Sequence, residues 1–201
     1  MSPDALAQLI RARSEGRTRM IVALAGPPGA GKSTLSGALV AQVPAARVVP
    51  MDGFHYDDTV LNARGLRSRK GAPETFDVEG LLVLMSRLRA GGDVAIPIFD
   101  RSLELSRAAA DVVTDTDRVL IVEGNWLLLE EGRWAALAPF FDLTIWLDVP
   151  EATLVCRLME RWADHGKTPQ EARAWINGND LPNIRRAITR SRPAEVTVTA
   201  S

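Results

Sequence analysis

Gly26-Pro27-Pro28-Gly29-Ala30-Gly31-Lys32-Ser33-Thr34 is the stretch that decides the fold. It follows Met20 to Ala25, a short and almost wholly apolar run of the kind that forms a strand buried on both faces. It leads into Ser33 to Gln42, which reads as a helix. Gly26 to Ser33 match G-x-x-x-x-G-K-[ST] in full, in the strand-to-helix setting that this motif requires. Glycines let successive backbone N–H groups turn inward around an anion, and the helix N-terminus adds partial positive charge. The expectation is a cradle for the phosphates of a nucleoside triphosphate, formed by Gly26, Gly29, Ala30, Gly31, Lys32, Ser33 and Thr34. Lys32 would reach the β- and γ-phosphates and the Ser33 hydroxyl would ligate Mg²⁺. The glycine spacing is not G-x-G-x-x-G, which sets aside a dinucleotide fold.

Working outward, further short apolar runs fall at Arg47–Met51, Arg118–Val122 and Leu143–Leu147, and β-branched residues alternate over Glu195–Thr199. Helical spacing covers Asp4–Ser14, Val78–Leu88 and Glu151–Asp164, and a further helix begins at Pro169–Trp175. Residues 52–77, with their charges and glycines, read mostly as loop, while Val94–Phe99 and Leu103–Val113 read as extended. Strands alternating with helices predict a parallel sheet covered on both faces, in one domain over residues 1–201.

Composition narrows the function. Apolar residues make up 46% and charged residues 24%, a globular balance, and the formal net charge of −1 gives no electrostatic case for nucleic acid or an anionic membrane. No apolar stretch is long enough to span a bilayer and the first residues lack a secretory signal pattern, so a cytoplasmic location is expected. The expected partner is a small-molecule substrate; assembly as a homodimer is left open. Cys156, the lone cysteine, cannot form an intrachain disulfide and reads as a small core residue beside Leu154, Val155 and Leu158. The tryptophans read as core, with Trp126 after Gly124-Asn125 as the exception.

A signalling GTPase would need an Asn-Lys-x-Asp reader, and the nearest string, Asn177-Gly178-Asn179-Asp180, lacks the lysine. Met51-Asp52-Gly53-Phe54-His55-Tyr56 follows the second strand, and an acid at a strand's carboxyl end stands where α/β sheets bind ligands. A phosphoryl acceptor hydroxyl needs a base, and a carboxylate is the usual choice in kinases. Spacing alone leaves open that Asp52 only forms a turn before Gly53.

Four segments resemble the phosphoribulokinase, uridine kinase and bacterial pantothenate kinase group. These are the Gly26–Thr34 loop, Met51–His55, Arg64–Asp77, and Val119-Leu-Ile-Val-Glu-Gly-Asn125. The whole chain is similar to small bacterial kinases labelled fructose transport system kinase or fructokinase. The resemblance implies ATP and Mg²⁺ as cofactors, a three-layer α/β/α fold with sheet order 2-3-1-4-5, a small β insertion around 94–113, and a helical lid. Asp52 would be the catalytic base, His55 and Tyr56 would face the acceptor, and Glu123 would join Ser33 around the metal. Lys70, Asp100 and Arg101 fall on substrate-side segments. Arg157 and Arg161, one helical turn apart, would close over the phosphates with Lys32 as charge-stabilising groups. His165-Gly166-Lys167 reads as a hinge, and Asn179–Asn183 as residues on the nucleotide-base side.

The activity this implies is phosphorylation of a hydroxyl on a small polyhydroxy metabolite, with a sugar such as fructose as the specific expectation. Nucleoside or pantothenate phosphorylation is the enzymatic alternative, and a nucleotide-dependent regulatory module the non-enzymatic one.

Overall fold

The computed structural model describes residues 1–199. Its main sheet is built from β1 (Met20–Ala25), β2 (Ala46–Pro50), β5 (Val119–Gly124), β6 (Leu143–Asp148) and β7 (Val196–Thr199). β3 (Val94–Asp100) and β4 (Leu105–Val113) form a separate antiparallel hairpin. The helices are α1 (Pro3–Ser14), α2 (Lys32–Gln42), α3 (Asp58–Ala63), α4 (Val78–Ala90), α5 (Glu151–Asp164), α6 (Pro169–Trp175) and α7 (Leu181–Arg190).

All six residues of β1 are buried because the strand lies between two parallel neighbours and under two helical layers. Ile21, Ala23 and Ala25 face one core with Leu81, Met85 and Leu88 of α4; Met20, Val22 and Leu24 face the other with Leu6, Leu39 and Leu154. The sheet runs β2-β5-β1-β6-β7, every pairing parallel. With the hairpin counted apart, this is the expected order 2-3-1-4-5. It puts the carboxyl ends of β1, β2 and β5 side by side, where ligands bind in open α/β sheets.

The hairpin packs on the turn that carries Asp52. Pro97 lies at the register irregularity between Ile96 and Ile98, where a residue with no N–H costs no ladder hydrogen bond. Its carbonyl sits so close to Gly53 that a Cβ there would lie 2.3 Å from the oxygen, so only glycine permits the approach.

Two local expectations need correction, and one helix was not foreseen. Residues 52–77 are not mostly loop: Asp57 accepts a hydrogen bond from Thr59 N at 2.8 Å and starts α3, and short 3₁₀ turns occupy Met51–Phe54, Arg67–Arg69 and Pro73–Thr75. These elements are too short to show a helical period. α7 was hidden behind Asn177, Gly178, Asn179 and Pro182, yet a π-helical turn at Ile176–Asp180 carries the chain through. Pro182, which has no N–H to give the ladder, stands just after this π-helical turn at the start of α7. Cys156 is exposed rather than core, because Leu154 and Leu158 hold the buried stripe and a residue midway between them faces outward. Among the described residues, no helix is long and apolar enough to cross a membrane.

Candidate active site

At the end of β1 the chain turns with Gly29 at φ +79° and Gly31 at φ +93°, both in the left-handed region that favours glycine. Gly31 is the N-cap of α2 and offers no side-chain cap, so the first N–H groups of the helix remain available to an anion. Pro28, Gly29, Gly31, Lys32, Ser33 and Thr34 line a cleft of about 300 Å³. Gly26 and Ala30 serve beneath it: a Cβ on Gly26 would lie 2.9 Å from Leu147 O, and Ala30 is buried.

Lys32 Nζ donates to Gly26 O at 3.0 Å, to Pro27 O at 2.9 Å and to Asn125 Oδ1 at 2.6 Å, which uses all three of its protons. Burial pulls its pKa down to about 8, with Asp52 and Glu123 pushing the other way. The ammonium stays charged at neutral pH. Glu123 is the last residue but one of β5, in register with Leu24 of β1 and Pro50 of β2. Its carboxylate accepts from Ser33 Oγ at 3.0 Å and from Ser36 Oγ at 3.2 Å, and burial raises its pKa.

Asp52, on the 3₁₀ turn after β2, lines the same cleft and accepts from Arg101 Nη2 at 2.7 Å. Burial works against its charge, but His55, Arg101, Lys32 and Arg161 outweigh it, and its pKa lies below the ordinary carboxylate value. His55 stacks on Phe76 with ring centroids 3.9 Å apart, and its buried Nδ1 has no hydrogen-bond partner. Burial drags its pKa down to about 4. At neutral pH the imidazole is therefore uncharged, and Arg101, Lys32 and Arg161 hold Asp52 ionised. An ionised carboxylate facing a phosphate cradle is the arrangement a proton acceptor needs.

Arg161 projects from α5 into the cleft, and its withdrawal from water lowers its pKa. Arg157, one turn earlier, does not line the cleft: its Nη1 donates to Ala30 O at 3.3 Å and buttresses the loop from behind. Lys70 is also outside the cleft, bound to Asp58 Oδ1 at 2.7 Å and to Glu104 O at 3.0 Å beside a second cavity. Tyr56 and Asp100 line neither space. The Arg64 guanidinium covers the Tyr56 ring at 4.4 Å. Asp100 Oδ1 accepts from Ser102 Oγ at 2.6 Å and from Leu103 N at 3.2 Å, so the carboxylate closes the hairpin turn while its neighbour Arg101 reaches Asp52.

Other residues enter the site unannounced. Asn125 holds Lys32, a role its place just after the β5 acid hinted at. Trp162 lines the cleft and donates to Asp180 Oδ2 at 2.7 Å, and burial pushes Asp180 up to about 6. Asn179 Nδ2 donates to Lys70 O at 2.8 Å, and Asn183 donates to Asn179 at 3.3 Å. The Asn179–Asn183 segment thus braces the Lys70-Gly71 turn on the Asp52 side. Trp126 is fully buried and donates from Nε1 to Gly71 O at 3.0 Å, so it is structural.

The model of the phosphoribulokinase / uridine kinase family matches residues 21–192. The protein YggC of Escherichia coli (strain K12) is 40% identical over 186 residues, covering 90% of this chain and 77% of that protein. A pantothenate kinase of Parvibaculum lavamentivorans (strain DS-1 / DSM 13023 / NCIMB 13966) is 30% identical over 169 residues, but this chain spans only 52% of its length. Among solved structures, a "putative fructose transport system kinase" from Silicibacter sp. TM1040 superposes with a TM-score of 0.92 at 45% identity, covering 98% of this chain and 99% of that one. With its cradle, its strand order and these matches, the chain belongs to the phosphoribulokinase / uridine kinase family of P-loop kinases.

Proposed function

We propose that this kinase moves the γ-phosphoryl group of ATP onto a hydroxyl of a small polyhydroxy metabolite, a sugar or sugar derivative, with Asp52 as the base. The acceptor oxygen forms the new bond to phosphorus, the bond to the departing ADP breaks, and Asp52 takes the hydroxyl proton. The observation that carries this is the ionised Asp52 in one cleft with Lys32, Ser33 and Glu123. A module that merely sensed a nucleotide would have little need of it.

Ser33 and Glu123 are the residues fitted to Mg²⁺. They offer two hard oxygen donors 3.0 Å apart beside the cradle, and Mg²⁺ usually takes one or two protein oxygens and fills its shell with water and phosphate. When bound, the ion would neutralise charge on the transferring phosphates. Lys32 and the α2 N-terminus orient those phosphates, and Arg161 adds positive charge from the α5 side.

The fructose description attached to the Silicibacter relative makes fructose a named candidate acceptor. Nucleoside phosphorylation is the second reading: Phe99, Trp162 and Trp175 line the second cavity, although each of these rings already has a cation over it. ADP release across sugars, sugar derivatives, uridine and pantothenate discriminates these. The highest kcat/KM is expected for a sugar-type acceptor; a higher value for uridine or pantothenate would replace that choice and leave the kinase assignment standing.

Arg161→Ala is expected to lower kcat roughly 10²-fold and to raise the ATP KM by less, because charge stabilisation is felt mainly in the transition state. Arg157→Ala, acting through the loop, is expected to have a smaller effect in the same direction. Steady-state kinetics check both, and wild-type behaviour in both variants would reduce α5 to a packed face.

A further inference from the structure

Beside the nucleotide cleft lies a second cavity of about 370 Å³, and the two share His55, Gly71, Arg101, Arg161 and Trp162 as walls. Its remaining wall adds Arg67, Lys70, His165 and Lys167 against a single carboxylate, that of Glu104. Part of this positive charge is already compensated. Arg67 pairs with Asp58 at 2.6 Å, Lys70 with Asp58 at 2.7 Å, and Arg101 with Asp52 at 2.7 Å. Arg161 and Lys167 differ: among the described residues, neither forms an ion pair with a carboxylate.

Both lie over aromatic rings instead. Arg161 sits 5.8 Å and Lys167 5.3 Å from the Trp162 centroid, and Lys167 is also 5.4 Å from that of Trp175. The Phe99 ring is faced by Lys70 at 5.2 Å and by Arg101 at 5.7 Å. Every one of these rings therefore has a cation on it, an arrangement the ring quadrupole favours. A nucleobase could stack here only by displacing those cations. What the cavity presents is positive charge held in place by an aromatic floor. Trp175 Nε1, on the same wall, is a buried donor with no partner, which an incoming oxygen would satisfy.

Taking the kinase reading as given, we propose that this cavity binds an anionic group of the phosphoryl acceptor, a carboxylate or a phosphate, at the end of the molecule away from the hydroxyl presented to Asp52. A neutral polyol filling the cavity would cover Lys167, which lines this cavity and not the nucleotide cleft, and supply it no counter-charge, and a desolvated cation without a partner is costly. An anion supplies that charge. Arg101, common to both spaces, separates the anion-binding end from the reacting end. The acceptor is accordingly a sugar derivative that carries the charge, a sugar acid or a phosphorylated sugar or polyol.

Three ligands of one carbon length test this: D-glucitol, D-gluconate and D-glucitol 6-phosphate. Each is titrated calorimetrically into the full chain with the nucleotide cleft filled by Mg²⁺ and a non-hydrolysable ATP analogue. At least one anion is expected to bind about 10-fold more tightly than D-glucitol, the scale of one well-placed charge contact. Which anion does so separates carboxylate from phosphate. Lys167→Gln should erase the preference and Lys167→Arg should keep it. Equal affinities, no anion binding, a preference that survives Lys167→Gln, or anion binding only when the analogue is left out would each overturn the proposal. Because the titration reads binding without turnover, it can fail while phosphoryl transfer stands, and the reverse.

Discussion

Asp52→Asn is expected to lower kcat roughly 10²–10⁴-fold, the range for a lost general base, and to leave ATP affinity nearly unchanged. The side chain keeps its shape and can still accept from Arg101 Nη2, now 2.7 Å away, so the turn that carries it should hold. What it loses is the capacity to take a proton. Because the native pKa of Asp52 lies below the ordinary carboxylate value, the wild type keeps its base at neutral pH and loses it only as the pH falls through the acid range. The variant's residual rate should lack that acid limb. Steady-state kinetics with a calorimetric ATP titration separates the two effects. A variant that loses ATP binding instead would make Asp52 structural or a metal ligand.

Lys32→Ala is expected to weaken ATP binding and to cut kcat roughly 10³-fold, the upper range for losing one preorganised charged donor at a site of developing charge. Nζ is satisfied by two loop carbonyls and Asn125. Burial has already lowered its pKa to about 8, so an anion that raises it again stabilises the charged form. Full activity in this variant would sink the assignment of the cradle.

The centre of the fold was legible because its signals are local. β1, the glycine turn and α2 are contiguous, and the left-handed φ values at Gly29 and Gly31 are what a glycine motif announces. Asp52 was legible for the same reason, three residues before His55 at a strand's end. Arg101 and Asp100 show where such reading stops. They are neighbours of opposite charge, and only the hairpin register decides that one reaches Asp52 and the other closes a turn. The resemblance turned Tyr56 toward the acceptor, and in the structure the Arg64 guanidinium covers its ring. The aromatic floor was invisible because it unites Phe99 of the hairpin with Trp162 of α5 and Trp175 of α6, and no local period links those three. Arg157 and Arg161 share a helical face as their spacing implied, but one turn of rise separates a residue behind the loop from one inside the cleft.

The central claim is that the γ-phosphoryl group passes to an acceptor hydroxyl at Asp52. Incubating the protein with ATP labelled at the γ-phosphorus, Mg²⁺ and a panel of hydroxyl acceptors tests it most directly, with Asp52→Asn alongside. The account predicts ADP release that depends on an acceptor, label recovered as a phosphate ester of that acceptor, and near-complete loss of both in the variant. Label recovered only as inorganic phosphate at a rate indifferent to every acceptor, or equal transfer by Asp52→Asn, would contradict it.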